Sequence, residues 1–132
     1  MLDLIEMFKD ETEFVSIPAD QAIVRVGESG TAMYVIVDGT ADVLVGAAIV
    51  ETVGRGGLVG EMTLVDNVER SASVIARTDC RLIPISVERF DILIQQKPSF
   101  ARHVMTVIAE RLRKMNERLI RNQSVDRGDR GY

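Results

Sequence analysis

The feature that most constrains the fold is a series of short apolar runs, rich in β-branched residues, with turn-forming residues between them. The runs are AIVRV at 22–26, MYVIV at 33–37, DVLV at 42–45, IVETV at 49–53, SASVIAR at 71–77 and CRLIPI at 80–85. Short strands at this spacing predict a closed or double-layered antiparallel fold. Asp38 and Gly39 are predicted to form a tight two-residue hairpin in which both residues adopt positive φ.

The hydrophobic pattern changes to a helical period after the last of these runs. Ser86 is a suitable N-cap for a helix that ends at Gln96, because Lys97-Pro98 follows. The first dozen residues alternate between apolar and charged positions, which favours a short amphipathic helix. The sequence therefore predicts a mainly β domain with flanking helices.

A second, longer helix is predicted to run from an N-cap at Ser99 to about Arg121. Its apolar residues are spaced alternately three and four positions apart, as in the a/d seam of a coiled coil. These seam residues are Met105, Ile108, Leu112, Met115 and Leu119. Half of the helix has the alternative of packing on the β body, but we expect its far end to pair with a second copy of the chain. The polar residues 122–132 are predicted to be a disordered tail, which leaves one domain over residues 1–121.

The composition excludes several functions. Cys80 is the only cysteine and His103 the only histidine, so the chain has no internal disulfide and lacks the residues of a typical metal site or catalytic centre. The segment GRGGLVG has valine at 59, where the dinucleotide-binding pattern requires a third glycine. No apolar run approaches the ~20 residues that span a bilayer, and the N-terminus is acidic rather than signal-like. We therefore expect a cytoplasmic protein that is not an enzyme and needs no metal or cofactor.

The net charge of −4 is unevenly distributed. Acidic residues outnumber basic ones two to one in residues 1–99, and the reverse holds in residues 100–132. A basic C-terminal segment is able to attract nucleic acid, an anionic surface or an acidic partner. A solvated basic helix face is the simpler interpretation, and the acidic body repels DNA, so direct DNA binding is not expected.

The stretch GEMTLVDNVERSASV, residues 60–74, has the side chains of a ligand site. Gly60 lets another backbone or a ligand approach closely, and the following residues have the length of one helical turn, whose free N–H groups bind anions. Arg70 offers a planar fork to a phosphate, with small residues after it, and an ionised Glu61 accepts hydrogen bonds from a hydroxyl. An anion site beside a hydroxyl site fits a phosphorylated sugar. The alternative is a surface Glu–Arg ion pair without a ligand.

These residues resemble the signature of the cyclic nucleotide-binding domain of kinase regulatory subunits, nucleotide-gated channels and catabolite-activator-type regulators. GEMTL at 60–64 and RSASV at 70–74 match its two halves in order and separation, and IVRVGESGTAMYVIVDG at 23–39 is similar to its second and third strands. The resemblance covers about residues 14–121. It implies an eight-stranded antiparallel, jelly-roll-like β-roll with a short N-terminal helix, a phosphate-cassette helix and a long C-terminal lid helix.

The resemblance also implies the roles of the site residues. Glu61 would accept a hydrogen bond from the ribose 2′-OH, and Arg70 would bind the exocyclic oxygens of the cyclic phosphate. Thr63 stands where the family has alanine, serine or glycine and adds a methyl group near the phosphate, and serine at 71 permits either cAMP or cGMP. The expected ligand-binding residues are Gly60, Glu61, Met62, Thr63, Arg70, Ser71, Ala72, Met115 and Asn116, of which the last two would contact the base from the lid helix.

The sequence thus predicts a stand-alone, homodimeric cyclic nucleotide sensor that lacks a helix-turn-helix. Ligand would close the C-terminal helix over the base, and a partner protein would respond to that change. The alternative is a dimeric β-roll interaction module that binds no nucleotide and presents its basic helix to an acidic partner.

Overall fold

The computed structural model describes residues 2–25, 32–61 and 73–126, with the backbone alone at 118, 119 and 121–126. Its strands are β1 (Val15–Ile17), β2 (Ala22–Val24), β3 (Ala32–Asp38), β4 (Ala41–Val45), β5 (Ala48–Val53), β6 (Leu58–Val59), β7 (Ser73–Ala76) and β8 (Cys80–Ser86). Its helices are α1 (Leu4–Met7), α2 (Val87–Gln96) and α3 (Pro98–Asp126). The expected eight-stranded antiparallel β-roll with flanking helices is confirmed. The predicted phosphate-cassette helix after Glu61 lies outside the described residues.

The strands form two four-stranded antiparallel sheets. One has the order β1-β8-β3-β6 and the other β2-β7-β4-β5. The consecutive strands β3 and β4 belong to different sheets, so the hairpin predicted at Asp38-Gly39 is wrong. The chain crosses between the sheets here, and only Gly39 of the two residues has positive φ, at 96°. A Cβ at Gly39 would lie 2.3 Å from the carbonyl oxygen of Asp79, so this crossing requires glycine.

The two-residue hairpin of the structure lies instead between β4 and β5, at Gly46-Ala47. Val45 and Ala48 pair across it, and Gly46 has a φ of 61°. A positive φ at the first of the two central residues is the pattern of a type II′ turn, in which glycine is favoured. This hairpin makes β5 an edge strand of its sheet.

Two short strands, β1 and β6, were not predicted from the sequence. β6 pairs with β3 because the preceding glycines turn the chain back toward Ile36, whose N–H donates to the Gly57 carbonyl at 2.9 Å and whose carbonyl accepts from the Gly56 N–H at 2.7 Å. A Cβ at Gly57 would lie 2.2 Å from Cγ1 of Val53. Gly57 is therefore explained by close packing against Val53 and Gly56 by its positive φ of 86°, and neither requires a dinucleotide.

Two hydrophobic clusters hold the domain together. The cluster between the sheets consists of Val24, Ile36, Ala41, Val43, Val53, Val59, Val74, Ala76, Cys80 and Leu82. The cluster between the β1-β8-β3-β6 sheet and the helices consists of Leu4, Phe8, Met33, Val35, Leu58, Ile83, Ile85, Phe100 and Val104. Strands β3 and β8 contribute to both clusters. They are therefore covered on two faces, which explains their nearly continuous apolar sequences.

The helix boundaries follow local capping. Ser86 Oγ accepts from the Arg89 N–H at 3.2 Å, which confirms the predicted N-cap of α2. Helix α3 begins at Pro98, so the prediction of an N-cap at Ser99 is wrong, and proline is favoured at a first helical position. The same helix continues to Asp126, beyond its predicted end at about Arg121, so that 122–126 are helical.

The start of α3 is anchored by aromatic packing. The Phe100 side chain is fully buried, and its ring makes edge contacts with Phe8 and Phe90, with centroids 6.4 and 6.1 Å away. Such pairs each contribute about 0.5–1.5 kcal/mol beyond the burial of their area. None of the helices within the described ranges has a stretch long and apolar enough to cross a bilayer.

Candidate functional site

The candidate site begins where β6 ends. Leu58 and Val59 are buried and pair with Val35 and Tyr34 of β3, which fixes the position of the residues that follow. Gly60 has a φ of 79°, in the left-handed region that favours glycine. The turn at Gly60 brings the Glu61 side chain into the protein, where the residue is only 1% exposed.

The buried Glu61 carboxylate contacts a cation from the C-terminal helix. Nη1 of Arg111 in α3 donates a hydrogen bond to Oε1 of Glu61. Arg111 is 4% exposed, and among the described residues it and Glu61 are the buried polar or charged ones. Its other two nitrogens are also bound: Nη2 donates to the Leu58 carbonyl at 3.0 Å, and Nε donates to Oε1 of Glu51 in β5 at 2.8 Å.

The charges of this cluster compensate each other. Burial opposes the charged form of Arg111, but the neighbouring Glu61 and Glu51 carboxylates outweigh it and raise the pKa of the guanidinium. Burial likewise opposes ionisation of Glu51, but the hydrogen bond and charge of Arg111, with a smaller effect of Lys114 at 3.7 Å, hold the pKa of that carboxyl below its usual value. The cluster therefore holds carboxylates that accept hydrogen bonds next to a permanently charged guanidinium.

The structure brings together only some of the predicted ligand-binding residues. Gly60 and Glu61 lie at the end of β6, and their role in binding stays a prediction. The residues Met62, Thr63, Arg70, Ser71 and Ala72 lie outside the described residues, so the convergence of Arg70 and Glu61 stays a prediction. Met115 is half-buried and Asn116 exposed, and both follow Arg111 within the next turn or so of α3.

Sequence reasoning missed Arg111 and Glu51. A signal for Arg111 does exist: it follows Phe100, Val104 and Val107 at intervals of four, three and four, and these residues lie in or against the cluster beneath the helix. A charged residue at such an apolar position indicates a buried ion pair. The partners Glu51 and Glu61 are 60 and 50 residues away in the sequence, so only the folded chain identifies them.

The predicted coiled-coil seam divides between two surroundings. Ile108 packs against the cluster beneath the helices, whereas Met105 and Leu112 are 60% and 46% exposed. Together with Ile120, 54% exposed, these two residues form what we call the outer face of α3. Met115 is half-buried, and the side chain of Leu119 lies outside the described part of the chain. Part of the predicted seam therefore packs against the β body.

The described residues contain no group of three or more histidine, cysteine, aspartate or glutamate side chains that could hold a metal ion. Cys80 is buried, and burial raises the pKa of its thiol, so it is a core residue and a weak nucleophile. The chemistry of the described site is therefore that of hydrogen-bond acceptors and a fixed cation.

Comparison with known proteins identifies the family of this chain. Residues 14–97 match the family described as Cyclic nucleotide-binding domain, and the chain belongs to that family. The match includes β1 to β8, Glu61 and α2, and it ends just before α3. The family to which we found the sequence similar is therefore confirmed.

Individual relatives are much longer proteins. The chain is 35% identical over 96 residues to the potassium/sodium hyperpolarization-activated cyclic nucleotide-gated channel 3 of Mus musculus, which covers 73% of this chain and 12% of the channel. It is 29% identical over 124 residues to lysophospholipase nte1 of Aspergillus fumigatus, covering 90% of this chain and 8% of that protein. The chain thus spans about a tenth of the length of these curated relatives.

A solved structure extends the likeness into α3. The crystal structure of the Thermus thermophilus catabolite activator protein superimposes with a TM-score of 0.74 at 27% identity, covering 90% of this chain and 58% of that one. The cAMP-bound structure of PfPKA-R (141-441) superimposes with a TM-score of 0.71 at 20% identity, over 86% of this chain and 43% of that one. At this identity the likeness is one of fold alone.

Proposed function

We propose that this protein is a sensor that binds a cyclic nucleotide, cAMP or cGMP, between the β-roll and α3. The observation that carries the proposal is the buried carboxylate of Glu61, placed at the end of β6 and held there by Arg111. Burying a charged pair is costly, and a hydrophobic pair of similar volume is often at least as stable. A carboxylate retained in this place is consistent with a role in binding.

The geometry fits a ribose hydroxyl at Glu61. A carboxylate has two acceptor oxygens, and Arg111 makes its hydrogen bond to Oε1. The second oxygen is the one that we assign to the 2′-OH of the ligand, and Arg70 would supply the fork for the cyclic phosphate. Gly60 lacks a Cβ, so no side chain at this position would obstruct a ligand beside Glu61.

The position of Met115 fits the proposed lid. It lies four residues after Arg111, so the two side chains occupy the same face of α3, about 6 Å apart along the helix axis. Since Arg111 contacts Glu61, Met115 lies at a suitable distance to cover the base of a nucleotide whose ribose is bound to Glu61. Asn116 is exposed and lies about 140° around the helix from Arg111, so its proposed hydrogen bond to the edge of the base requires the end of α3 to turn toward the ligand.

Isothermal titration calorimetry with cAMP and cGMP tests the proposal. We expect wild-type protein to bind at least one of them with micromolar affinity and Arg70→Ala to lose that binding. Arg77→Ala is the matched control, because Arg77 forms a half-exposed ion pair with Asp42 at 3.7 Å on β4. Absence of heat at millimolar ligand, or equal binding by the two variants, would refute the sensor function.

The response to ligand involves α3 and a second copy of the chain. Nucleotide binding would favour the state in which the end of α3 closes over the base, by as much as its affinity differs between the two states. The outer face of α3 is apolar and exposed, and pairing of two copies would bury it. Sedimentation velocity of wild type and Leu112→Glu checks this pairing: the wild type should be a dimer and the variant a monomer.

The proposed output is a contact with a partner protein, in a reducing compartment such as the cytoplasm that suits the free thiol of Cys80. The exposed outer face of α3 also fits the second candidate function, a dimeric interaction module that binds no nucleotide. For such a module, Arg70→Ala would be harmless, and Leu112→Glu would abolish both self-association and function. Competition of a fluorescent cyclic nucleotide by cAMP, cGMP and 5′-AMP distinguishes the two functions.

A further inference from the structure

The three nitrogens of the Arg111 guanidinium bind three different segments of the β-roll. Its Nε donates to Glu51 in β5, its Nη2 to the Leu58 carbonyl in β6, and its Nη1 to Glu61 after β6. Each nitrogen thus has a different acceptor. The side chain is 5% exposed, so little water is available to replace any of them.

This pattern of hydrogen bonds differs from the common one for an arginine beside a carboxylate. An arginine fork commonly forms two parallel hydrogen bonds to both oxygens of one carboxylate. Here the described contact between Arg111 and Glu61 is to Oε1, and the hydrogen bonds from Nε to Glu51 and from Nη2 to Leu58 fix the orientation of the guanidinium. If Arg111 bound both oxygens of Glu61, a ligand hydroxyl would have to compete with the buried guanidinium for a carboxylate oxygen.

Glu51 is well placed to keep the guanidinium of Arg111 in this orientation. It lies on the edge strand β5 and pairs with the core residue Val43, which directs its side chain toward the inner side of the sheet. Its side chain is 20% exposed, and its second oxygen lies 3.7 Å from Nζ of the half-exposed Lys114. Glu51 is therefore a charged acceptor with a cation of its own, which keeps it ionised beside Arg111.

We propose that Glu51 is a positioning residue for the ligand site: by accepting from Nε of Arg111, it keeps one oxygen of Glu61 available to the ligand hydroxyl. The inference rests on the proposed function and adds a residue of β5 that does not touch the ligand. Without an acceptor at position 51, the released Nε is buried and unpaired, and rotation of the fork onto both oxygens of Glu61 satisfies it.

Three variants test this role by cyclic nucleotide titration. Glu51→Ala removes the acceptor, and we expect about tenfold weaker binding, the effect of weakening one hydrogen bond to a charged group. Glu51→Gln keeps an acceptor oxygen at the same distance, and its affinity should stay within about threefold of wild type. Asp42→Ala is the matched control, because Asp42 lies on the neighbouring strand and accepts from Thr52 rather than from Arg111. Its affinity should be that of wild type.

A crystal structure of ligand-free Glu51→Ala supplies a measurement that does not depend on binding. The inference predicts that two nitrogens of Arg111 bind the two oxygens of Glu61 in this variant. A single contact in that structure, equal affinity of Glu51→Ala and wild type, or equally weak binding by Glu51→Gln and Glu51→Ala would each overturn the inference. If the wild type itself binds neither cAMP nor cGMP, the proposed function fails first, which the titration shows separately.

Discussion

On the side of α3 that lies against the β body, Phe100, Val104 and Arg111 are buried, whereas Met105 and Leu112 on its outer face are exposed. We call the buried set the inner face. Both faces carry large apolar side chains, but within the described ranges only those of the inner face are buried against the rest of the protein. The comparison shows that the apolar residues of this helix attach it to the roll on one face and remain exposed on the other, the face for which we propose pairing with a second copy.

The largest effect is expected at the charged residue of the inner face. Arg111→Ala removes the cation beside the buried Glu61 carboxylate and one of the two cations beside Glu51, and we expect a loss of about 3–5 kcal/mol in the free energy of unfolding. Urea unfolding followed by circular dichroism measures this loss. The matched control is the exposed Arg113 on the same helix, whose replacement by alanine should change stability by less than about 0.5 kcal/mol. Equal effects of the two variants would mean that the cluster around Arg111 does not stabilise the fold.

Substitution of the adjacent residues Val104 and Met105 compares the contributions of the two faces to stability. Val104 is 2% exposed and Met105 60% exposed. Val104→Ala should cost about 1–3 kcal/mol of unfolding free energy through lost burial and a cavity, although valine is the smaller side chain. Met105→Ala should leave the stability of the monomer within about 0.5 kcal/mol and instead weaken self-association. Thermal unfolding at low protein concentration, combined with sedimentation equilibrium, separates these effects. A larger stability loss in the monomeric Met105 variant would contradict the assignment of the faces.

The smallest effect concerns pH and the same inner-face cluster. Because the pKa of Glu51 in the folded protein lies below its usual value of about 4.5, its contribution to stability is complete above that pH and is lost as the pH falls through the lowered pKa. Wild type should therefore lose slightly more stability than Glu51→Gln between pH 6 and pH 3, by about 1 kcal/mol or less. Chemical unfolding at a series of pH values measures the difference. Parallel curves for the two proteins would show that Glu51 is not stabilised as a carboxylate.

The sequence was informative about the roll wherever an element had enough residues to show a period. The long strands β3 and β8 and the helix capped by Ser86 were predicted close to their observed bounds. Strand β6 has two residues and β1 three, which is too short for a periodic pattern. The role of Gly39 was mistaken because a glycine with positive φ suits both a hairpin and a crossing between sheets, and only the nearby Asp79 carbonyl decides between them.

The site was predictable to the extent that its residues are close in sequence. Glu61 follows Gly60 directly, and the signature identified both. Arg111 and Glu51 were missed because their contacts join segments 50 and 60 residues apart, and because surface arginines on helices are common. Met105 and Leu112 of the outer face belong to the seam predicted from the heptad spacing, whereas Ile120 does not. The same spacing did not show that Ile108 packs on the body, since three- and four-residue intervals describe both kinds of helix surface.

The central claim is that the inner face of α3 holds Glu61 as the acceptor of a ligand hydroxyl. Titration of wild type and Glu61→Gln with cAMP and with 2′-deoxy-cAMP tests it most directly, because the two ligands differ only in that hydroxyl. We predict that wild type binds cAMP at least about tenfold more tightly than the deoxy ligand, and that Glu61→Gln reduces this preference to a few-fold or less. Equal affinity of wild type for the two ligands would contradict the account.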